Sequence, residues 1–222
     1  MTQRVAILGG GALAREVLDI FDACNAAGTS YDVAGFIVED GFGEIGTYLN
    51  GKPLLGNLDW FRDAGDIRAV CAVGYPERRR GLVERAKRRG VRFCNAIHPT
   101  AVLTRWMRIG EGVVIAAGCT FTNGITLADH VHVNPGCTIG HDVMLEELAT
   151  LAPGVHLSGY VTVREGAFVG TGVSAIQRVT VGAWSIVGAG ATLIEDVAPN
   201  TTVIGTPARL IRRRDPGWQM RI

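Results

Sequence analysis

The chain has 222 residues, of which 47% are apolar and 19% charged, and its 22 basic residues nearly balance 21 acidic ones for a formal net charge of +1. That composition suits one large or two small globular domains and excludes a disordered chain. No field of one sign points to a nucleic acid or a membrane surface as partner.

In chain order, RVAILGG (4–10) reads as a buried strand running into a glycine turn. Residues from about Ala12 to Ala27 follow as a helix with Leu13, Val17, Ile20 and Phe21 on one face. DVAGFIVED (32–40) is a second strand that ends in acids, Leu54 to Gly56 is short and extended, and Leu58 to Ala64 is a short helix. AVCAVG (69–74) is another buried strand, and Pro76 to Arg89 is a helix with proline near its start. VRFCNAI (91–97) leads onward. Strand and helix alternate, which predicts a small α/β unit with a parallel sheet over residues 1–95.

Gly9-x-Gly11-x-x-Ala14 follows a strand and opens a helix. Backbone N–H groups and the positive end of the helix dipole can hold phosphates there. Glu39 and Asp40 end the next strand, where a carboxylate can accept hydrogen bonds from a ribose or a base. The alternative is a tight strand-to-helix turn with no ligand. The unit is only half a dinucleotide fold, so a mononucleotide is its natural occupant.

From Ile97 the pattern changes. Every sixth residue from Ile97 through Phe121, Val133, Leu145, Leu157 and Val169 to Leu193 is apolar, and none is polar. A second series, stepping by six from Ala101 to Val197, is nearly all small or β-branched. A period of six keeps neither series on one face of an α-helix. It fits a solenoid in which each hexad is a short strand and a turn, three hexads close one coil, and stacked coils pair in parallel. Five to six coils are expected between residues 97 and 198. Gly110, Gly140, Gly170, Gly182 and Gly188 each follow a large inward residue, where glycine's conformational freedom is the expected reason.

Five cysteines, Cys24, Cys71, Cys94, Cys119 and Cys137, form no CxxC pair and read as reduced core thiols. The apolar run at the N-terminus is too short for a signal peptide and no segment reaches membrane-spanning length, so the expected location is the cytoplasm. His98, before Pro99, reads as structural; His130 and His132, alternating around Val131, are expected to point outward. The arginines between Arg78 and Arg89 read as a solvated helix face, and Trp184 and Trp218 have no assignable role. The histidine spacing does not match a zinc site, and no metal is expected.

Gly140-His141-Asp142 offers an imidazole beside a carboxylate. A carboxylate on one ring nitrogen fixes the tautomer and leaves the other nitrogen free to take a proton. A surface histidine on a turn is the alternative. The stretches VAILGGG (5–11), GFIVED (35–40), AIHPTA (96–101), NPGCTIGHD (134–142), VGAGAT (187–192) and IGTPAR (204–209) resemble the bacterial nucleotide-sugar acyltransferases. Their types are the sialic-acid O-acetyltransferases and the bacillosamine and perosamine N-acetyltransferases. The resemblance spans the whole chain. It implies an α/β nucleotide-sugar domain (1–95) joined to a left-handed parallel β-helix (96–222), a homotrimer with active sites between subunits, and acetyl-CoA as co-substrate.

Carried onto this sequence, the resemblance makes His141 the general base, Asp142 the acid that orients it, and Asn134 a neighbour of the reacting sugar position. It places the Gly159 N–H at the thioester carbonyl, Thr171 and Ala189 along the pantetheine arm with Gly188 beside them, and Gly9, Gly11 and Asp40 at the nucleotide. Two departures stand out. Gly11-Ala12-Leu13 replaces the Gly-Gly-His of many members, and Thr150 stands near the place of a second active-site histidine. A nicotinamide oxidoreductase and a non-catalytic β-helix scaffold are the rival readings. The first leaves the repeat region without a task, and the second has no need of a histidine–acid pair.

Overall fold

A computed structural model describes residues 2–220 of the chain. The apolar runs of the first part become β1 (Gln3–Leu8), β2 (Tyr31–Ile37), β3 (Tyr48–Leu49), β4 (Lys52–Gly56), β5 (Arg68–Cys71) and β6 (Arg92–Phe93). They form one sheet in the order β3-β4-β2-β1-β5-β6, parallel except for the β3–β4 hairpin. Two helices cover it, α1 (Ala12–Ala26) after β1 and α2 (Pro76–Arg88) after β5. The expected helix after Leu58 is a 3-10 turn over Leu58–Arg62. Along β1, Val5 and Ile7 pack with α1 on one side while Ala6 and Leu8 pack with α2 on the other. Both faces are therefore buried, which is why the run is apolar throughout instead of alternating.

From Ala96 onward the hexads give two-residue strands. Up to the last coil, they pair in parallel with the strand eighteen residues later, as in the series Thr120, Thr138, His156, Ser174 and Thr192. Three such ladders make a three-faced solenoid. Its interior is the predicted double column, with Ile115, Val133, Leu151, Val169 and Val187 fully buried along one ladder. Each buried side chain of this kind contributes about 1.5–3 kcal/mol. A terminal hairpin, Thr201–Ile204 with Arg209–Arg213, closes the last coil.

The glycines that follow large inward residues are needed for a different reason from the one expected. At Gly140 and Gly170, φ is not in the left-handed region. A Cβ there would instead lie 2.7 Å from the backbone nitrogen of Gly159 or Ala189 in the next coil. The requirement is close stacking of coils. Left-handed geometry belongs two residues further on, where Gly172 and Gly190 share it with non-glycine residues such as His130, Asp142 and Tyr160.

The α/β unit covers one face of the solenoid. The outward residues Ala96, Val114, His132 and Thr150 of that face are buried beneath it. At one corner α1 packs Val17, Ile20 and Phe21 against Ala96 and Val114, and Cys24 Sγ donates to Ile97 O at 3.1 Å. At the next corner α2 meets an acidic column. Lys87 Nζ lies 2.9 Å from Glu111 and 3.9 Å from Asp129, and Arg80 lies 3.7 Å from Glu165 and over the ring of buried Trp184.

This docking qualifies three expectations. The arginine-rich helix is only partly a solvated face: Arg78, Arg88 and Arg89 are exposed, but Arg79 is fully buried and donates into the coils. His130 and His132 do point away from the solenoid interior, but both are buried under the α/β unit. Trp184 has a place in the packing, beneath Arg80. Period-six patterning marks what faces inward, whereas the cover over an outward face is a long-range property.

Candidate active site

A cleft of about 630 Å³ opens at the C-terminal ends of β1, β2 and β5, between the start of α1 and α2. The sheet order places it where chain direction switches on either side of β1, the usual ligand position in open α/β sheets. Gly9, Gly11 and Glu39 line it. Gly9 has φ +124°, and a Cβ there would lie 2.9 Å from Ala72 O, so only glycine lets β1 turn this close to β5. Gly11 caps α1 with no side chain, and α1 has no acid in its first turn. The first N–H groups of the helix therefore stand open to an anion.

Glu39 pairs with Arg85, and Asp40 Oδ1 accepts from Asn57 Nδ2 at 3.0 Å, outside the lining. Sequence reasoning missed Arg78 and Arg85 as lining residues. Their positions on the cleft side of α2 are set by how the helix docks. A second cavity of about 200 Å³ lies between α1 and the coils, lined by Glu16, Asp19, His98, Asn134 and Pro135 among others. Leu13 lines both cavities. Asn134 is held there by donating from Nδ2 to Leu151 O at 2.7 Å.

His141 and Asp142 sit at the corner opposite the covered face. His141 Nδ1 and Asp142 Oδ2 are 2.9 Å apart, and the side chains remain 57% and 47% exposed. Asp142 occupies a left-handed position, φ +58°, and its N–H donates to Asn123 O one coil below at 2.8 Å. That backbone turn brings its carboxylate back to the neighbouring ring. A carboxylate can only accept, so Nδ1–H is the donor, and the tautomer that supplies it carries its lone pair on Nε2. The ring also meets Tyr160 edge-on, with centroids 5.0 Å apart, and Arg178 lies 4.7 Å over the Tyr160 ring. Neither residue was singled out from sequence. Their signal is the coil period, since Asp142, Tyr160 and Arg178 are spaced by eighteen.

One coil above, Gly159 lies directly beside the imidazole. A Cβ on it would be 2.5 Å from both Nε2 and Cε1 of His141. The Gly159 N–H donates to no acceptor among the described residues. On this corner the middle positions are Asn123, His141, Gly159, Gln177 and Glu195, and Gly159, itself buried, is the one of these five without a side chain. Thr171, Gly188 and Ala189 lie on the adjacent corner, the one that also carries Asn134 two coils below Thr171. The five cysteines are free, four of them buried. Among the described residues, no group of three or more His, Cys, Asp or Glu is placed to hold a metal ion. No helix there is long and apolar enough to cross a membrane.

No family model and no curated protein sequence matches the chain. Solved structures do. A histidine-to-asparagine variant of perosamine N-acetyltransferase from Caulobacter crescentus, in complex with CoA and GDP-perosamine, is 33% identical. The match covers 96% of this chain and 98% of that one at a TM-score of 0.86. The acetyltransferase domain of PglB from Neisseria gonorrhoeae, in complex with acetyl coenzyme A, is 30% identical over 95% of this chain and 100% of that one, with a TM-score of 0.86. WeeI from Acinetobacter baumannii is 26% identical over 95% and 100%, with a TM-score of 0.84.

Proposed function

The chain belongs to the bacterial nucleotide-sugar acetyltransferases of the hexapeptide-repeat β-helix superfamily, with a left-handed solenoid, and from that premise we propose how its residues divide the work. The enzyme transfers the acetyl group of acetyl-CoA to the amino group of a nucleotide-linked sugar. Residues up to about 95 bind the nucleotide, and the coils carry the transfer. The observation that supports this division most is the His141–Asp142 pair set against the bare amide of Gly159.

The amine attacks the thioester carbonyl while His141 Nε2 takes its proton, and Asp142 stabilises the imidazolium that forms. The carbonyl oxygen becomes an oxyanion that accepts from the Gly159 N–H. Collapse of the tetrahedral intermediate breaks the C–S bond, and the CoA thiolate recovers the proton from His141. No covalent enzyme intermediate is required, since holding both substrates in place supplies much of the acceleration. Thr171, Gly188 and Ala189 run along the pantetheine arm. Gly9 and Gly11 let the nucleotide phosphates approach the start of α1, with Arg78 nearby. Glu39 faces the nucleoside, and Asp40 acts through Asn57 at the rim. From this cleft the sugar passes Leu13 toward Asn134.

The cleft belongs to the covered face, whereas His141 lies on the opposite corner. One chain therefore does not bring the two together, and we propose a homotrimer in which His141 of one copy serves the cleft of the next. The direct test is thiol release from acetyl-CoA across a panel of amino- and hydroxy-sugar nucleotides. Release with one amino-sugar nucleotide, accompanied by an N-acetylated product, supports the reading. Release only with hydroxy-sugars, or with none of the panel, would overturn it.

A further inference from the structure

Arg79 takes no part in the proposed chemistry, yet it heads the fully buried side chains by volume. Burial lowers its pKa to about 10, so it stays charged at neutral pH. Its bonds fall into two sets. Nη1 donates to Val73 O at 2.8 Å and Gly74 O at 3.1 Å, and both of these residues line the nucleotide cleft. Nη2 donates to Leu148 O at 2.6 Å and Thr150 Oγ1 at 2.7 Å, both on the coils. Nη1 also meets His132 Nδ1 at 3.1 Å, which must be the accepting nitrogen, so the proton of the neutral ring is on Nε2.

A buried cation is weak evidence of a stabilising role, because well-packed apolar residues often serve stability as well or better. Here the Nε–H finds no acceptor among the described residues. What the guanidinium supplies is geometry, since its planar fork fixes several acceptors at set distances and angles where an ammonium would not. The acceptors it fixes are the wall of the cleft and the strands beneath it.

We propose that Arg79 is a positioning residue for the acceptor, holding the Val73–Gly74 wall of the nucleotide cleft in register with the coils so that the sugar is presented at a constant place. The proposal rests on the nucleotide-sugar reading of the cleft. It explains why Thr150 stands where the resemblance places a second histidine: the hydroxyl anchors the fork. The residue acts on one substrate only, because the proposed acetyl-CoA contacts lie on other corners.

The test uses the full-length enzyme with Arg79→Lys and with Thr150→Val. The second variant replaces one coil-side acceptor by a methyl group of similar size and leaves the charge in place. KM for the nucleotide sugar, KM for acetyl-CoA, kcat and melting temperature are measured together. The acceptor KM rises about ten-fold or more in Arg79→Lys and about three-fold in Thr150→Val, while KM for acetyl-CoA stays within about two-fold. Equal rises in both KM values, or a lower melting temperature with both KM values unchanged, would make Arg79 merely structural and overturn the proposal. A native enzyme that acetylates no nucleotide sugar sinks the functional reading and this inference with it; the variants' KM pattern sinks the inference alone.

Discussion

Two parts of the solenoid carry histidines to opposite ends. On the bare corner, His141 is more than half exposed and has a carboxylate at 2.9 Å. On the covered side, His130 and His132 are buried and, among the described residues, hydrogen-bond to no carboxylate. Burial lowers the pKa of His130 to about 4 and takes that of His132 well below the usual histidine range, helped in both cases by nearby cations. All three histidines issue from the same repeat, so the repeat does not decide their roles. What packs against each corner decides their surroundings: one histidine keeps solvent access and a carboxylate at its Nδ1, and the other two become neutral packing groups beneath the α/β unit.

The largest expected effect follows from breaking the bare corner. His141→Asn lowers turnover by about 10²- to 10⁴-fold, while acetyl-CoA binding measured by calorimetry changes little. Turnover within a few-fold of native would remove His141 from the chemistry. The covered side predicts loss of stability in acid instead. Below pH 6.5 the unfolded chain binds a proton at His130 that the folded chain refuses until about pH 4. Stability attributable to this group is therefore complete above the unfolded pKa and falls through that window, by about 3 kcal/mol in total, with His132 acting in the same direction. Denaturant melts at pH 7 and pH 4.5, compared between native and His130→Gln, isolate this contribution. The same pH sensitivity in both would contradict it.

The stacking of Gly159 on His141 gives a sharper version of the same contrast. Gly159→Ala puts a methyl group 2.5 Å from the ring unless the imidazole moves. The expected outcome is a loss of about 100-fold in kcat with the melting temperature nearly unchanged, since the more than half-exposed His141 ring can swing outward to make room. Unchanged kcat would mean that ring position does not matter. The smallest effect belongs to Asp142→Asn, about ten-fold in kcat, because a half-exposed carboxylate interacts through solvent. A loss as large as that of His141→Asn would show that tautomer control, and not charge, dominates.

Much of this was readable in the sequence, and the reason is physical. Period-six patterning is written into every coil, so Ile115, Val133 and Leu151 declare themselves inward without knowledge of any other element. The Gly9–Ala14 turn and the His141–Asp142 pair are local in the chain, and their neighbourhoods follow from adjacent residues. Arg79, His130 and His132 were not readable, because their surroundings arise from docking between segments far apart in sequence: Arg79 bonds to residues up to 71 positions away. Glycine was misread for a related cause. A missing Cβ serves either an unusual φ or a close neighbour, and only the stacked coils show that Gly140 and Gly170 serve the second.

The central claim is that the bare corner of one copy works on the cleft of another, and subunit mixing tests it most directly. Two inactive proteins are prepared, His141→Asn and a cleft variant, Gly11→Asp, whose carboxylate repels the nucleotide phosphates. They are unfolded together, refolded at equal concentration, and assayed for acetyl transfer. If each site takes its base and its cleft from different chains, about a quarter of the sites regain both and activity returns to about that fraction of native. If both belong to one chain, every site retains a defect, and the mixture stays as inactive as its parents.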